Sequence, residues 1–230
     1  MELPEGVVLV RAPNPSALTL DGTNSYVVGR WIVDPGPSIP SHVAALRDAA
    51  NDGLEGIALT HSHTDHSEAA ELFGVPVVLP RDGELAGPFT AVGTPGHSAD
   101  SVCLLFGRVC FTGDTVLGEG SVFIAPGEGS LSAYLDSLRR LRSLDLEVLC
   151  PGHGPYVWDP AAKLDEYLEH RLERERRLLA ALDSGLRTDD ELLDAAWSEV
   201  PAELRPAARL TLEAHLEKLR SEGRLPGELG

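Results

Sequence analysis

Within "THSHTDHSE", residues 60–68, three imidazoles and a carboxylate crowd together: His61, His63, Asp65 and His66. Neutral imidazoles and a carboxylate this close are costly to bury without partners. A chain that folds around them therefore needs something between the side chains, and a metal ion is the simplest occupant. The preceding run "GIALT" is apolar and β-branched in character, so His61 and His63 follow a buried strand. In an extended segment, residues two apart point the same way, which lets both imidazoles reach one ion. Asp65 and His66 then enter a helix, expected to open at Ser67, and face a second ion. Imidazole with carboxylate suits zinc, iron or manganese.

Three more candidates follow, each at the end of an apolar run: His97 in "GTPGHSADS", Asp114 in "FTGDTVLG" and His153 in "LCPGHGP". Glycine beside each lets the backbone turn sharply and approach closely. A lone loop histidine is ordinarily solvated or hydrogen-bonded; four ordered motifs at strand ends point instead to a shared metal centre.

The rest of the chain supplies the frame. Through about residue 155, short strand-like runs alternate with turns ("GVVLV", "SYVVG", "WIVDPG", "VPVVLP", "SVCLLFG", "RVCFTGD", "EVLCPGHG"). Helical spacing interrupts at 41–50 and 131–144. Many strands with interposed helices predict two sheets flanked by helices. After Pro160 the pattern turns helical: a long amphipathic helix over 163–182, a capping box "TDDE" at 188–191, and a helix over 205–222 ended by Gly223. "GRLP" would begin a small wing. The expected organisation is a catalytic domain over 1–159 and a winged-helix-like region over 160–230.

Composition narrows the function classes. A net charge of −17 argues against a broad electrostatic footprint for nucleic acid. Residues 160–230 hold 11 basic against 16 acidic residues, so that region is not expected to grip a duplex. No apolar run approaches the roughly 20 residues needed to span a bilayer. The N-terminus lacks the basic and apolar regions of a signal peptide, so the expected location is cytoplasmic and no membrane partner is expected. Cys103, Cys110 and Cys150 form an odd set without C-x-x-C spacing, and no disulfide framework is expected.

"HSHTDH" with His97, Asp114 and His153 resembles the H-x-H-x-D-H signature of the metallo-β-lactamase superfamily. That resemblance implies an α+β fold, the αββα sandwich, with two metals at the sheet edge. It assigns His61, His63 and His97 to one metal, Asp65, His66 and His153 to the other, and Asp114 to the bridge. "LTLDGTNSYVVG", "TPGHSADS", "GDTVLGEGSVF", "PGHGP", "HRLERERRLL" and "HLEKLRSEGRL" are similar to the lactamase-beta-2-like branch, whose best-known member is a single-strand-specific endoribonuclease. The implied cofactors are two divalent ions, zinc first, with manganese or iron as alternatives. Two such ions about 3.5–4 Å apart share a water whose hydroxide attacks phosphorus or a carbonyl carbon. Asp65 would orient or take the proton and Asp114 hold the pair, which makes both catalytic.

The implied substrate is single-stranded RNA or a small molecule: a phosphodiester, with a thioester, ester or lactone as the alternative. Single-strand grooves want basic and stacking residues, and this chain is acidic with 5% aromatics. A mononuclear iron sulfur dioxygenase is a further alternative. Diiron oxidoreductases of the superfamily typically carry Glu at the position of His63, and zinc β-lactamases generally lack a bridging Asp matching Asp114. A non-catalytic binding protein would not need seven intact candidate ligands. One departure stands out: Glu68 and Ala69 replace two glycines common after the motif. Asp34 in "VDPG" reads equally as a partner for a ligand His or as a turn residue. Residues 118–121 would shape the pocket rim, and Asn24, Ser25 and Tyr26 either line the cleft or simply build a strand. His42, His170 and His215 are expected at the surface.

Overall fold

The computed structural model describes residues 4–50 and 53–225. Two five-stranded sheets form its centre. The first runs β1 (Val7–Arg11), β2 (Asn24–Val28), β3 (Trp31–Val33), β4 (Gly56–Ala58) and β5 (Val77–Val78) in spatial order. The second runs, from its other edge, β10 (Val148–Pro151), β9 (Val109–Gly113), β8 (Val102–Phe106), β7 (Phe89–Gly93) and β6 (Leu85–Ala86). β3 and β4 pair in parallel, as do β9 and β10. A parallel pair needs a crossover, and a helix supplies each one: α1 (Pro40–Ala50) and α3 (Leu131–Arg142).

The helices cover the outer faces. Leu46 and Ala50 of α1 pack with Val27, Ile32 and Ile57 on one side. Leu131, Tyr134, Leu138 and Leu141 of α3 pack with Cys103, Cys110 and Leu149 on the other. Between the sheets, Tyr26, Phe89 and Phe111 meet with ring centroids 5.1 Å (Tyr26–Phe111) and 5.6 Å (Phe89–Phe111) apart. This is the expected αββα sandwich. All three cysteines are free and buried in strands of the second sheet. The two-residue β6 is too short to leave a period-2 pattern in the sequence.

The predicted helices lie close to where periodicity puts them. The long helix, α4 (Pro160–Asp183), begins three residues earlier than expected because Asp159 caps it, accepting from the Ala162 amide, and Pro160 occupies its first turn. α5 (Asp189–Ala196) opens on the full capping box between Thr188 and Glu191. α6 (Arg205–Ser221) is followed by Gly223 at φ +66°. These three helices share their own apolar core around Leu182, Leu192, Leu212 and Leu219. Arg224 and Leu225 form no strand, and the remainder of the expected wing lies outside the described residues. Among the described residues, no helix is long and apolar enough to cross a membrane.

His42 and His215 are not surface residues. His42 sits under α1 with its Nε2 3.0 Å from the Ser25 hydroxyl, because α1 lies flat on the sheet. His215 is fully buried edge-on to Trp197, since α6 turns that face toward α4 and α5. His170 is half-buried and lines a cavity described below.

Phe111→Ala should lower unfolding free energy by about 3–5 kcal/mol, measured by chemical denaturation. A loss below about 1 kcal/mol would show that the two sheets are not held by this aromatic contact.

Candidate metal centre

The seven candidate residues lie at one edge of the sandwich, and the strand ends explain why. His61 and His63 follow β4, while His97, Asp114 and His153 follow β7, β9 and β10 of the other sheet. Asp65 and His66 sit on a single-turn helix, α2 (Thr64–Ser67). It opens three residues before the expected Ser67, which turns His66 inward with its side chain fully buried.

Two sets of three ligand atoms fall within 4.8 Å of one another: His61, His63 and His97, and Asp65, His66 and His153. Asp114 lies between them, 3.7 Å from the His97 Nε2, 3.3 Å from the His66 Nε2 and 3.4 Å from the His153 Nε2. The structure thus brings together the residues that the resemblance groups as two candidate ligand sets.

Hydrogen bonds on the far side of each ring fix what the near side offers. The Thr60 hydroxyl donates to Asp34 Oδ2 at 2.6 Å, so it can only accept from His61 Nδ1 at 3.0 Å. His61 Nε2 is then a buried lone pair, and it has no partner. His66 Nδ1 donates to Asp34 at 3.0 Å and His97 Nδ1 to the Phe123 carbonyl at 3.2 Å. His153 Nδ1 points at the Gly22 carbonyl at a longer 3.4 Å. Inward-facing nitrogens consequently meet nitrogens: His66 and His153 Nε2 are 3.3 Å apart, and His97 Nε2 is 3.0 Å from His63 Nδ1. Lone pairs converge where only a cation or protons can reconcile them. The donor set fits divalent ions.

A third grouping, Asp34 with His61 and His66, is equally compact. There Asp34 already accepts from the Thr60 amide at 2.8 Å, the Thr60 hydroxyl and His66, so it orients ligands and is not one itself. It does so from a left-handed backbone, φ +49°, so Asp34 is both the turn residue and the His partner. Gly152 leaves the room required: a Cβ there would stand 2.5 Å from His66 Cε1 and 2.8 Å from Asp114 Oδ1.

Protonation follows the same contacts. Burial holds His61 and His97 below the ordinary imidazole range, so both are neutral. Burial works against His66 as well, but the Asp114 and Asp34 carboxylates outweigh it and lift its pKa well above the usual value. His153 is likewise lifted against burial by Asp114 and Asp65, to about 9. Burial opposes ionisation of Asp114, yet His66 and His153 hold it well below the carboxylate range. In protein stripped of metal, protons on His66 and His153 serve where cations would.

Several supporting residues carry no sequence signal. Asp100 accepts from the Ser62 amide at 3.1 Å and ties the first histidine loop to the His97 loop. Asn24 and Tyr26 do not line the cleft: the Asn24 amide donates to the Pro151 and Gly154 carbonyls, and the Tyr26 hydroxyl donates to Pro151. They hold the turn that carries His153. Glu68 ends α2 and accepts from the Ser38 amide at 2.9 Å, away from the cluster, while Ala69 is buried beneath. Glu68 and Ala69 therefore bond to the 34–38 turn through the Ser38 amide and the Gly36 carbonyl, and not to the candidate ligands.

The cluster opens into a cavity of about 450 Å³. Leu18 and Leu20 form one wall, residues 117 and 119–123 another, and α4 with α6 the third. The expected rim at 118–121 is present through Glu119, Gly120 and Ser121, and the loop at 16–20 is an addition.

Fold and site together define a metal-dependent hydrolase of the αββα type. The chain belongs to the metallo-β-lactamase superfamily. Residues 76–153 match that superfamily and residues 188–225 match the beta-lactamase associated winged helix domain. It is 30% identical to a beta-lactamase-like protein 2 homolog of Caenorhabditis elegans, over 96% of this chain and 86% of that one. It is also 30% identical to an atrochrysone carboxyl ACP thioesterase of Aspergillus fumigatus, over 86% and 75% of the two chains. Among solved structures, a metallo-beta-lactamase family protein of Thermus thermophilus superposes with a TM-score of 0.75 at 25% identity, covering 96% and 95%.

Asp34→Ala should weaken metal binding about 10–100-fold in a competition titration, since His66 loses its orienting acceptor. Unchanged affinity would assign Asp34 to the turn alone. A pH effect follows from His66 and His153. Both are raised, so the pair holds protons at pH 7 without metal, and loading should release at least one. Affinity should therefore climb with pH through the range near 9 in which His153 loses its proton. Calorimetry in buffers of different ionisation enthalpy counts the protons; fewer than about one would refute the assignment.

Proposed function

We propose that the protein hydrolyses esters or thioesters of apolar acyl groups at a centre of two divalent ions, zinc in the first instance. His61, His63 and His97 would hold one ion, Asp65, His66 and His153 the other, and Asp114 would lie against both. Bound there, the ions supply Lewis acidity that ionises water near neutral pH and neutralises developing negative charge on a carbonyl oxygen.

The chain's own residues do the rest. Asp65 is about one-third exposed, lines the cavity and stays ionised because His153 and His66 offset its burial. It would take and hold the proton of the attacking water. Asp34, Thr60 and the Phe123 carbonyl keep the imidazoles in the tautomer that presents a lone pair inward. Leu18, Leu20, Leu117 and Phe123 exclude water from the acyl group and set its direction.

The observation that carries this reading is the cavity itself. An apolar enclosure beginning at the candidate ligands suits an acyl chain or ring system. A phosphodiester strand needs basic side chains along an open path. Among the described residues the cavity wall offers two arginines, Arg171 and Arg174, both buried and the second already paired with Glu199, so they form no row of cations along an open path. The similarity to a protein named as an ACP thioesterase supports the same bond class.

Turnover by zinc-loaded protein should be highest on octanoyl-N-acetylcysteamine or p-nitrophenyl octanoate, compared with single-stranded RNA, bis-p-nitrophenyl phosphate and a lactone. Faster cleavage of RNA than of either acyl compound would overturn the proposal. Asp114→Ala should lose at least one bound ion by metal analysis and at least about 100-fold in kcat/KM. Full turnover in that variant would remove Asp114 from the centre.

A further inference from the structure

The cavity wall contributed by α4 contains a charge that no described residue answers. Arg171 of α4 is 2% exposed and lines the cavity. Among the described residues, its guanidinium makes one side-chain hydrogen bond, from an Nη to the Val122 carbonyl, and none to a carboxylate. Its Nε is buried without a partner, and its Cζ lies 5.4 Å from the centre of the Tyr134 ring.

Neighbouring groups do not supply the missing charge. Arg174 is itself cationic and is matched by Glu199. Glu175 is taken by Lys218 and Arg224. His170 is driven down to about 4 by burial and by Arg171, and His215 lies well below the ordinary range for similar reasons, so neither adds charge of either sign. The Tyr134 hydroxyl stays protonated and donates to the Thr115 carbonyl at 2.7 Å. A buried guanidinium with no counter-ion is costly, and breaking such a pair is costly because it leaves this very arrangement.

We propose that Arg171 is an anion anchor, and that the acyl group hydrolysed here carries a carboxylate at the end remote from the scissile bond. The identity of the bond rests on the ester or thioester reading above; the anchor does not. A planar carboxylate matches the guanidinium fork, and one negative charge matches one unanswered positive charge. A phosphate would bring up to two charges to a single unpaired arginine. The span also fits. Arg171 holds the Val122 carbonyl, and the next carbonyl, Phe123, accepts from the candidate ligand His97. Anchor and metal centre therefore flank one short segment, with Leu117, Phe123 and Trp197 along the same cavity. A medium-length dicarboxylic half-ester or half-thioester fills that path, its neutral end at the metals and its charged end at Arg171.

Suberic acid monoamide and octanamide separate the two parts of the proposal. Calorimetric titration of the zinc-loaded full chain should show the acid binding at least about tenfold more tightly than the neutral amide. Arg171→Gln should abolish that preference, and Arg171→Lys, which restores the charge, should recover part of it. Equal affinity of the wild-type protein for both compounds overturns the anchor, whether or not the variants fold. So does a preference that survives in folded Arg171→Gln, because the carboxylate would then sit at the metals. In turnover, the suberyl half-thioester of N-acetylcysteamine should exceed the octanoyl thioester about tenfold in kcat/KM through KM, and that ratio should fall to about one in Arg171→Gln. Arg171-dependent binding without turnover of either thioester would support the anchor and overturn the ester or thioester reading.

Discussion

One buried carboxylate organises the candidate centre. Asp34, at the end of β3, accepts three hydrogen bonds: two from Thr60 at the end of β4 and one from His66 on α2. These join two adjacent strand ends to the short helix that follows, and they do so by satisfying every donor involved. The Thr60 hydroxyl, once committed to Asp34, has only lone pairs left for His61. A single side chain thereby sets the tautomers of two neighbouring imidazoles, one in each trio. The left-handed backbone at Asp34 is the conformational cost of that placement, and asparagine or aspartate bears it better than most residues.

The second requirement is that two sheets meet edge to edge at this point. The Val102 amide donates to the Thr60 carbonyl and the Asn24 amide to Gly152, so backbone hydrogen bonds cross from one sheet to the other beside the histidines. The Asn24 and Tyr26 side chains add three more to the turn bearing His153. Rigidity between the layers matters because each trio of ligand atoms takes one member from the far sheet: His97 in one, His153 in the other. Gly113 belongs to the same constraint. At φ +47°, with a would-be Cβ 2.2 Å from the Thr60 hydroxyl, it lets β9 end close enough for Asp114 to reach between the trios.

Residue type and order made the ligands legible in the sequence: His61, His63, Asp65 and His66 fall within six positions, and His97, Asp114 and His153 each stand beside glycine after an apolar run. The sandwich was legible for a related reason, since period-2 runs and two helical interruptions leave few topologies with parallel crossovers. Polar side chains whose partners are remote in sequence were not legible. His42 and His215 look like surface residues because their helices are otherwise polar, and only packing reveals that one lies on a sheet and the other behind Trp197. Tyr26 reads as an ordinary strand residue, although its hydroxyl supports a turn 125 positions away. Arg171 sits in a charge-rich stretch, "HRLERERRLL", in which every neighbouring arginine is paired; that no described carboxylate pairs with it is a fact of three dimensions.

That difference among the arginines gives the C-terminal helices a specific place in the site. Their own core, around Leu182 and Leu212, makes them a packing unit, yet one face closes the cavity. Through Arg171 to Val122 and Thr211 to the Ile124 amide, α4 and α6 hold the segment whose Phe123 carbonyl orients His97. Val122 and Phe123 therefore belong both to the cavity wall and to the backbone that aims a candidate ligand. A change in the C-terminal helices that moved this segment would shift acyl-group preference and the geometry of His97 together. An acidic three-helix module is poorly suited to gripping a polyanion, but it is well suited to enclosing an apolar group and leaving one buried cation to recognise its end.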